Sequence, residues 1–389
     1  MKYLRKLLEI FLVSFKLGCT SFGGPTAHLG YFQNEYVQNR KWLTDREYSN
    51  LVALGQFLPG PASSQVGMGI GLLRGGILGS IVSFVGFTLP SVLLLIMFAY
   101  YYSHTELDLG WIHGLKLVAV AIVAQAIWDM SKKLIIGIIH LMIAFLALVV
   151  VLVWVNPFTQ VVVIALAALV GFQLFKENSG KEASIGPTLP ITKTTGASLL
   201  VLFVILLIGL PVVSSLIQHD WLTLIEKFYV SGALVFGGGH VVLPLLEAQF
   251  VQSGYMSAAD FLTGYGITQA VPGPLFTFAS YIGMVIGGVP AAIVATIAIF
   301  LPAFLLIVGV LPFWLTLSRN TGLRGAIVGA NASVVGILAA AFIDPIASKT
   351  IQSGLDVLIV VIFLWLLIRW RIQAYIIVIL GAVVGIVLY

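Results

Sequence analysis

Long apolar runs constrain this chain more than any other feature of its sequence. Runs of membrane-spanning length recur along the 389 residues, among them 77–102, 134–155, 197–217 and 357–370. A helix of about 20 apolar residues crosses the roughly 30 Å of hydrocarbon in a bilayer. Only 9% of the residues are charged, and mean hydropathy is +1.08. We therefore predict that lipid surrounds most of the chain.

The apolar runs favour helices over strands. They consist of continuous Leu, Ile, Val and Ala, without the alternation of a transmembrane barrel. Counting them predicts about 13 transmembrane segments: about six before the polar stretch 176–195, one at 197–217, and about six after it. The predicted fold class is an all-α polytopic membrane protein.

The basic residues predict the orientation, because Lys and Arg concentrate in cytoplasmic loops. If the N-terminus is cytoplasmic, most of the 20 basic residues fall inside. Lys16 and Lys116 then lie within apolar spans, and the residues expected outside are Arg40, Lys41, Arg46, Lys227 and Lys349. We expect a cytoplasmic N-terminus and an external C-terminus in the cytoplasmic membrane. The scattered charge gives no nucleic-acid patch.

A set of uncommon motifs occurs twice in the same order. Gly18-x-x-x-Phe22-Gly23-Gly24 recurs after 214 residues, and Gln56-x-x-Pro59-Gly60-Pro61 recurs after 213. The second copies are Gly232-x-x-x-Phe236-Gly237-Gly238 and Gln269-x-x-Pro272-Gly273-Pro274. Trp42-Leu43-Thr44 likewise matches Tyr255-Met256-Ser257, and Leu89-Pro90 matches Leu301-Pro302 after 212 residues. The nearly constant offset predicts an internal duplication.

The duplication sets the expected domains. They are a first repeat at 1–175, a cytoplasmic linker at 176–196, a connecting transmembrane helix at 197–217 and a second repeat at 218–389. An odd number of crossings before the second copy predicts that it is inverted. Inverted repeats with broken helices recur among secondary transporters.

The Pro-Gly-Pro motifs predict helix breaks inside the membrane. Proline and glycine interrupt helical hydrogen bonding, which hydrocarbon tolerates only beside a cavity or another helix. The second proline suits the first turn of a new helix, whose free N–H groups attract anions. Gln56 and Gln269 add neutral donors before each break, and Ser63, Ser64 and Thr277 add hydroxyls after it. Close helix packing is the alternative interpretation, and it weighs about equally for the Phe-Gly-Gly motifs.

Several ionisable residues near the motifs are further candidates. Lys16 lies before the first Phe-Gly-Gly motif and is a candidate for attracting the anion, and His240 follows the second. The candidates for gating or coupling to protons are His28, Arg74, Lys116 and Glu247. Interface anchoring or packing is the alternative for each.

The duplicated motifs resemble those of the chromate ion transporter (CHR) family, in its long two-domain form, over nearly the whole chain. The resemblance implies an oxyanion transporter associated with chromate efflux and resistance, with sulfate as an analogue. It implies that the site of the first half contains Phe22, Gly23, Gly24, Pro25, Gln56, Pro59, Gly60 and Pro61. It implies that the site of the second half contains Phe236, Gly237, Gly238, Gln269, Pro272, Gly273 and Pro274. Gly239 replaces Pro25, so the halves need not contribute equally.

The predicted function is a secondary transporter that exports chromate, with a sulfate or other oxyanion carrier as the alternative. An intramembrane enzyme is a distant alternative, because the sequence holds no G-x-S-x-G or H-E-x-x-H motif. We expect no catalytic residue, no metal and no cofactor. The expected partners are the oxyanion and the lipid bilayer. A homodimer stays open, since lipid-facing surfaces resemble subunit interfaces.

Overall fold

The computed structural model describes residues 2–104, 109–175, 190–317 and 320–389, and within these ranges every regular element is a helix. Most of the predicted linker at 176–196 lies outside the described residues. The first half contains α1 Lys2–Thr20, α2 Gly24–Phe32, α3 Asp45–Phe57, α4 Ala62–His104, α5 Leu109–Leu134, α6 Ile138–Val153 and α7 Pro157–Leu174. A π-helix, Gln33–Asn39, continues α2.

The helix α8 Lys193–Ile217 connects the halves. The second half contains α9 Asp220–Ala233, α10 Val242–Phe250, α11 Ala258–Thr268, α12 Phe278–Val310, α13 Trp314–Leu317, α14 Thr321–Ala341, α15 Ser348–Thr350, α16 Gly354–Arg369 and α17 Ala374–Leu388. Short 3₁₀ turns precede α10 and α12.

Five described helical segments are long and apolar enough to cross a membrane, namely Ala62–His104, Gly110–Leu134, Lys193–Ile217, Leu275–Phe313 and Thr321–Thr350. Shorter apolar helices occupy Ile138–Val153, Phe158–Leu174 and Ala374–Leu388. The all-helical, polytopic fold class is therefore confirmed. The number of 13 segments stays a prediction.

Helix α4 folds back on itself at Gly76, where φ is 68° and ψ is −162°. The Ser83 hydroxyl donates to the Gly67 carbonyl oxygen at 2.9 Å, so residues 62–75 and 77–104 form two antiparallel arms. Glycine and serine on the facing surfaces let these arms approach closely. The second repeat turns in the same way at Gly287 and Gly288 within α12.

Helix α1 runs alongside the second arm of α4 in the same direction. Ile10 lies near Gly79, and a Cβ on Gly18 would lie 2.6 Å from the Phe87 carbonyl oxygen. Helix α2 and its π-helical continuation return antiparallel to α1, because Lys16 reaches Glu35 and Glu9 reaches Arg40. The first Phe-Gly-Gly motif therefore forms the tip of a helical hairpin.

The second arm of α4 contacts both halves of the protein. Before Pro90, it packs on α1 and on the first arm of its own helix. After Pro90, Phe98 meets Tyr281 with ring centroids 6.1 Å apart, and the Tyr102 hydroxyl donates to Asp260 at 2.7 Å. Two helices of the second half, α11 and α12, therefore contact this arm after Pro90.

The outer helices also cross between the halves. Helix α5 packs against α17, where a Cβ on Gly110 would lie 2.7 Å from the Gly385 carbonyl oxygen. Helix α14 packs against α6 and α7, where a Cβ on Gly329 would lie 2.9 Å from the Gly171 Cα. Small residues permit these close backbone approaches. The halves are thus joined by the packing of α5 on α17 and of α14 on α6 and α7, as well as by the contacts of α4.

Candidate functional site

The two Pro-Gly-Pro motifs meet the two Phe-Gly-Gly motifs in two reciprocal junctions, and all four form helix breaks. The Gly60 N–H of the first Pro-Gly-Pro motif donates to the Val235 carbonyl oxygen at 2.7 Å, and the Gly273 N–H of the second donates to the Ser21 carbonyl oxygen at 2.9 Å. Ser21 and Val235 directly precede the two Phe-Gly-Gly motifs. Each half therefore supplies the donor of one junction and the acceptor of the other.

Glycine is needed at both donor positions. The φ angles of Gly60 and Gly273 are +117° and +103°, in a region that residues with a Cβ rarely adopt. A Cβ on Gly60 would lie 3.4 Å from the Ala303 Cβ, and one on Gly273 would lie 2.9 Å from the Ser91 Oγ. The flanking prolines end one helix and start the next. Pro-Gly-Pro thus turns the chain sharply. Its glycine, the only residue of the motif with a backbone N–H, donates that N–H to the other half.

The Phe-Gly-Gly segments lie at the same centre. A Cβ on Gly239 would lie 3.2 Å from the Pro25 Cγ. These two residues occupy the same position of the two repeats, so the repeats contact each other where their motifs differ. Gly23, Gly237 and Gly238 are exposed, with φ angles of +94°, +80° and +146°. The junctions are therefore accessible at their glycine-rich side.

Buried polar atoms without hydrogen-bond partners concentrate near these breaks. Among the described residues they include the Ser21 Oγ, His28 Nε2, Ser64 Oγ, Gln65 Oε1, Thr88 Oγ1, Gln269 Nε2 and Asn331 Oδ1. A buried polar group normally finds a partner, because leaving it unpaired costs about 1–3 kcal/mol. Hydroxyl and amide groups in this state can bind a polar ligand between the two halves.

Other predicted residues hold the breaks in shape. The Thr277 hydroxyl donates to the Pro274 carbonyl oxygen at 2.7 Å, which caps the turn after the second break. The His28 Nδ1 lies 3.2 Å from the Ser63 Oγ, and the His240 Nδ1 lies 2.8 Å from the Tyr265 hydroxyl. Each histidine thereby ties the segment after a Phe-Gly-Gly motif to a helix next to the Pro-Gly-Pro motif of the same half, α4 for His28 and α11 for His240.

Most of the predicted binding residues belong to the four segments that form the junctions or to the helical turns that follow them. They are Phe22, Gly23, Gly24, Pro25, Pro59, Gly60, Pro61, Ser63, Ser64, Phe236, Gly237, Gly238, His240, Gln269, Pro272, Gly273, Pro274 and Thr277. The two glutamines differ: Gln56 is exposed, whereas Gln269 is partly buried with its amide nitrogen unpaired.

Three predicted cationic and acidic residues lie in other surroundings. Lys16 is 61% exposed at its side chain and pairs with Glu35 at 3.1 Å. Lys116 is half-buried on α5. Glu247 is buried on α10 and accepts from the Gln252 amide at 2.8 Å. None of these contacts involves a Pro-Gly-Pro segment.

Arg74 belongs to a charged cluster next to the turn of α4. It pairs with Glu9 at 2.9 Å, and its guanidinium lies 4.1 Å from the centre of the Trp42 ring. Arg40 joins Glu9 to Glu35, at 3.4 and 2.8 Å. This cluster ties the starts of α1 and α3 to the turn between the arms of α4. The charge is therefore concentrated away from the neutral junctions.

Sequence reasoning missed Ser21, Gln65, Thr88, Ser91 and Asn331. Serine and threonine are common in membrane helices, where they bond to the preceding turn, so none of them stands out in an apolar run. A signal was available in the register of the repeat. Ser21, Thr88 and Ser91 align with Val235, Phe300 and Ala303, so each polar residue has an apolar counterpart in the second copy.

A family model described as chromate transporter matches the chain twice, at residues 8–172 and 222–386. The two matches contain the two sets of helix breaks. No solved structure matches the chain.

Curated relatives resemble the chain over most of its length. A chromate transport protein of Cupriavidus metallidurans is 27% identical over 400 residues, covering 99% of this chain and 93% of the relative. A chromate transport protein of Pseudomonas aeruginosa is 26% identical, covering 86% and 80%. An uncharacterized transporter of Methanocaldococcus jannaschii is 28% identical, covering 97% and 93%.

Proposed function

Because this chain belongs to the chromate transporter family, we propose that it is a secondary transporter that exports chromate across the cytoplasmic membrane and thereby confers chromate resistance. The observation that carries the proposal is the reciprocal bonding of the four helix breaks, Gly60 to Val235 and Gly273 to Ser21. Broken helices that meet between two repeats are the usual substrate site of secondary transporters.

The chemistry of the breaks suits a tetrahedral dianion. Each Pro-Gly-Pro segment leads into a new helix, whose first N–H groups carry about half a positive charge. Hydroxyl and amide donors surround these helix starts, so an oxyanion can be held without a dedicated cation. The same donors would accept sulfate, which has the shape and charge of chromate. A sulfate or other oxyanion carrier is therefore the alternative.

The two halves are proposed to form an inverted repeat. The second arm of α4 meets the hairpins of its own half before Pro90, and Tyr281 and Asp260 of the other half after it. This arrangement supports hairpins that enter the membrane from opposite sides and meet at their tips. Two such halves can expose the central site to each side in turn.

The contact of Arg40 with Glu9 revises the orientation expected from the sequence. It supports a first hairpin that returns to the side on which α1 begins, so that Arg40, Lys41 and Arg46 join Lys2 on the cytoplasmic side. Moving these three cations inside strengthens the positive-inside bias. We retain the cytoplasmic N-terminus, the external C-terminus and the domain boundaries as proposals.

The ionisable residues outside the junctions are proposed to control transport. Glu247 is 2% exposed, and its one described hydrogen bond comes from the neutral amide of Gln252. A buried carboxyl whose described hydrogen bond comes from a neutral amide is suited to gaining and losing a proton. Arg74, bonded to Glu9 and stacked on Trp42, is suited to a gate at the cytoplasmic end of the first hairpin.

Uptake of radiolabelled chromate into inverted membrane vesicles tests the proposal. We expect accumulation that depends on the proton gradient and is inhibited by excess sulfate, with vesicles lacking the protein as control. Accumulation of labelled sulfate without chromate would favour the alternative carrier. No accumulation of either anion under any gradient would contradict oxyanion transport.

A further inference from the structure

The two junctions have the same backbone bond but different side chains. Ser21, which accepts from Gly273, aligns with Val235, which accepts from Gly60. Ser91 lies against Gly273, and its counterpart Ala303 lies against Gly60. At these two aligned positions, one junction therefore carries hydroxyl groups and the other carries hydrocarbon.

All three hydroxyl groups are buried, and two of them have no hydrogen-bond partner among the described residues. Ser21, Thr88 and Ser91 are 0%, 2% and 1% exposed. The Ser21 and Thr88 oxygens have no hydrogen-bond partner among the described residues. The Ser91 hydroxyl donates to the Thr88 carbonyl oxygen at 2.9 Å, which places these two residues on one turn of α4. A hydroxyl hydrogen rotates freely, so all three can turn toward a bound oxygen atom.

An amide donor completes this junction. Gln269 ends α11 in the same break that contains Gly273, and its amide nitrogen is buried without a partner. Hydrogen bonds from neutral donors to a charged acceptor are stronger than those between neutral groups. The Gly273 junction thus offers three hydroxyls and one amide within one helix break and the turn packed against it.

The other junction offers fewer free donors, of which the buried Ser64 hydroxyl after Gly60 is one. Phe300 stands where the first repeat has Thr88, and its ring packs against Phe84 and Phe276, with centroids 5.0 and 5.8 Å away. The Gln65 amide nitrogen already donates to the Pro59 carbonyl oxygen at 2.8 Å. This bond leaves the Gln65 carbonyl oxygen as the unpaired atom, and an acceptor repels an oxyanion.

We propose that the protein binds its oxyanion at one junction only, where Gly273 meets Ser21, through Ser21, Thr88, Ser91 and Gln269. The inference rests on the proposed function and deepens it. Only one of the two junctions then binds the oxyanion, although both have the same backbone hydrogen bond.

Matched substitutions at aligned positions test this assignment. The full-length protein is reconstituted in proteoliposomes, and initial rates of labelled chromate and sulfate uptake are measured against concentration. Ser21→Ala, Thr88→Val and Ser91→Ala are each expected to raise the half-saturating concentration roughly tenfold, because each removes a hydrogen bond to a charged ligand. The conservative variant Ser21→Thr restores the wild-type value.

Val235→Thr and Ala303→Ser are the controls, since they add hydroxyls at the aligned positions of the Gly60 junction. They are expected to leave the half-saturating concentration unchanged. Thermal unfolding with and without sulfate is measured for every variant, and loss of sulfate stabilisation is expected in the first set alone. A purely structural role for the hydroxyls would lower the unfolding temperature without changing half-saturation, which would overturn the inference.

The remaining outcomes separate this inference from the proposed function. Wild-type transport with equal changes in both sets of variants would overturn binding at one junction only and leave the transporter intact. Wild-type protein that neither transports nor is stabilised by chromate or sulfate would overturn both.

Discussion

At the residue scale, the site depends on two glycines, Gly60 and Gly273, whose positive φ angles disfavour any residue with a Cβ. Gly273 combines a φ of +103° with the Ser91 Oγ at 2.9 Å from the position of a Cβ. The sequence predicted that a glycine is needed for a break. It could not predict that the same residue donates to the other half, because that acceptor is more than 200 residues away.

We predict that Gly273→Ala abolishes transport and destabilises the protein. The positive φ costs about 1–2 kcal/mol for a residue with a Cβ, and the contact with Ser91 adds about 1–3 kcal/mol. Thermal unfolding in detergent and chromate uptake measure the two effects.

Gly254→Ala is the matched control, because Gly254 has a φ of +78° but no atom within 4 Å of a Cβ position. It is expected to carry only the cost of the positive φ. Equal stability losses in the two variants would contradict a packed junction at Gly273.

At the element scale, the helices themselves were largely predictable, whereas the hairpins were not. The run 77–102 was predicted as one helix, and it forms the second arm of α4. The turn at Gly76 was missed because a glycine pair in an apolar run is equally typical of straight helices packed closely together. A re-entrant helix and a crossing helix also have similar composition, so counting apolar runs cannot distinguish them.

We predict that Gly71→Ala opens the hairpin of α4. The new Cβ would collide with the Gly79 carbonyl oxygen on the opposite arm, where backbone cannot move aside as a side chain can. We expect a destabilisation of about 1–3 kcal/mol, measured by thermal unfolding.

Gly209→Ala is the control for this prediction, since Gly209 lies on α8 with nothing within 4 Å of a Cβ position. It is expected to be neutral or to stabilise the helix by up to about 1 kcal/mol. Tolerance of Gly71→Ala would show that the arms are not in contact.

We predict that Asp356→Ala detaches the start of α16 from its neighbours. Asp356 is 1% exposed, accepts from the backbone N–H groups of Gln352 and Ser353 at 2.8 and 2.9 Å, and also bonds to His113 on α5 and to Tyr389. Removing a buried charged partner costs about 3–5 kcal/mol. Thermal unfolding measures the loss.

The exposed Asp220, in the first turn of α9, provides a comparison. Asp220→Ala removes a favourable charge at a helix start but no described side-chain bond, and we expect at most about 1 kcal/mol. A similar loss in both variants would contradict the role of Asp356 in joining three helices.

At the scale of the whole molecule, the duplication was predictable and its mode of assembly was not. The constant offset located the breaks because identical motifs survive in both copies. It could not show that donors and acceptors are exchanged between copies, since that depends on how the hairpins face each other. The same alignment also contains the polar-to-apolar differences between the copies that make the two junctions chemically unequal.

We predict that Lys41 and Gly254, which are aligned in the two repeats, lie on opposite sides of the membrane. In protein carrying Cys19→Ser, single substitutions Lys41→Cys and Gly254→Cys are treated with a membrane-impermeant thiol reagent. Intact cells should label Gly254→Cys, and inverted vesicles should label Lys41→Cys.

The protein with Cys19→Ser alone is the unlabelled control for this experiment, because Cys19 is the single cysteine of the chain. Labelling of both positions from the same side would exclude the inverted arrangement.

The exchange of backbone bonds between the halves limits how the chain can be divided. Neither Gly60 nor Gly273 has its acceptor in its own repeat. A fragment carrying one repeat would leave a backbone donor and a backbone acceptor unsatisfied, at a cost of several kcal/mol for each group that lies in hydrocarbon. Such a fragment would be a substrate for quality-control proteases unless a complementary fragment of opposite orientation were made at the same time. Splitting the gene is therefore compatible with function only if its two products are co-expressed.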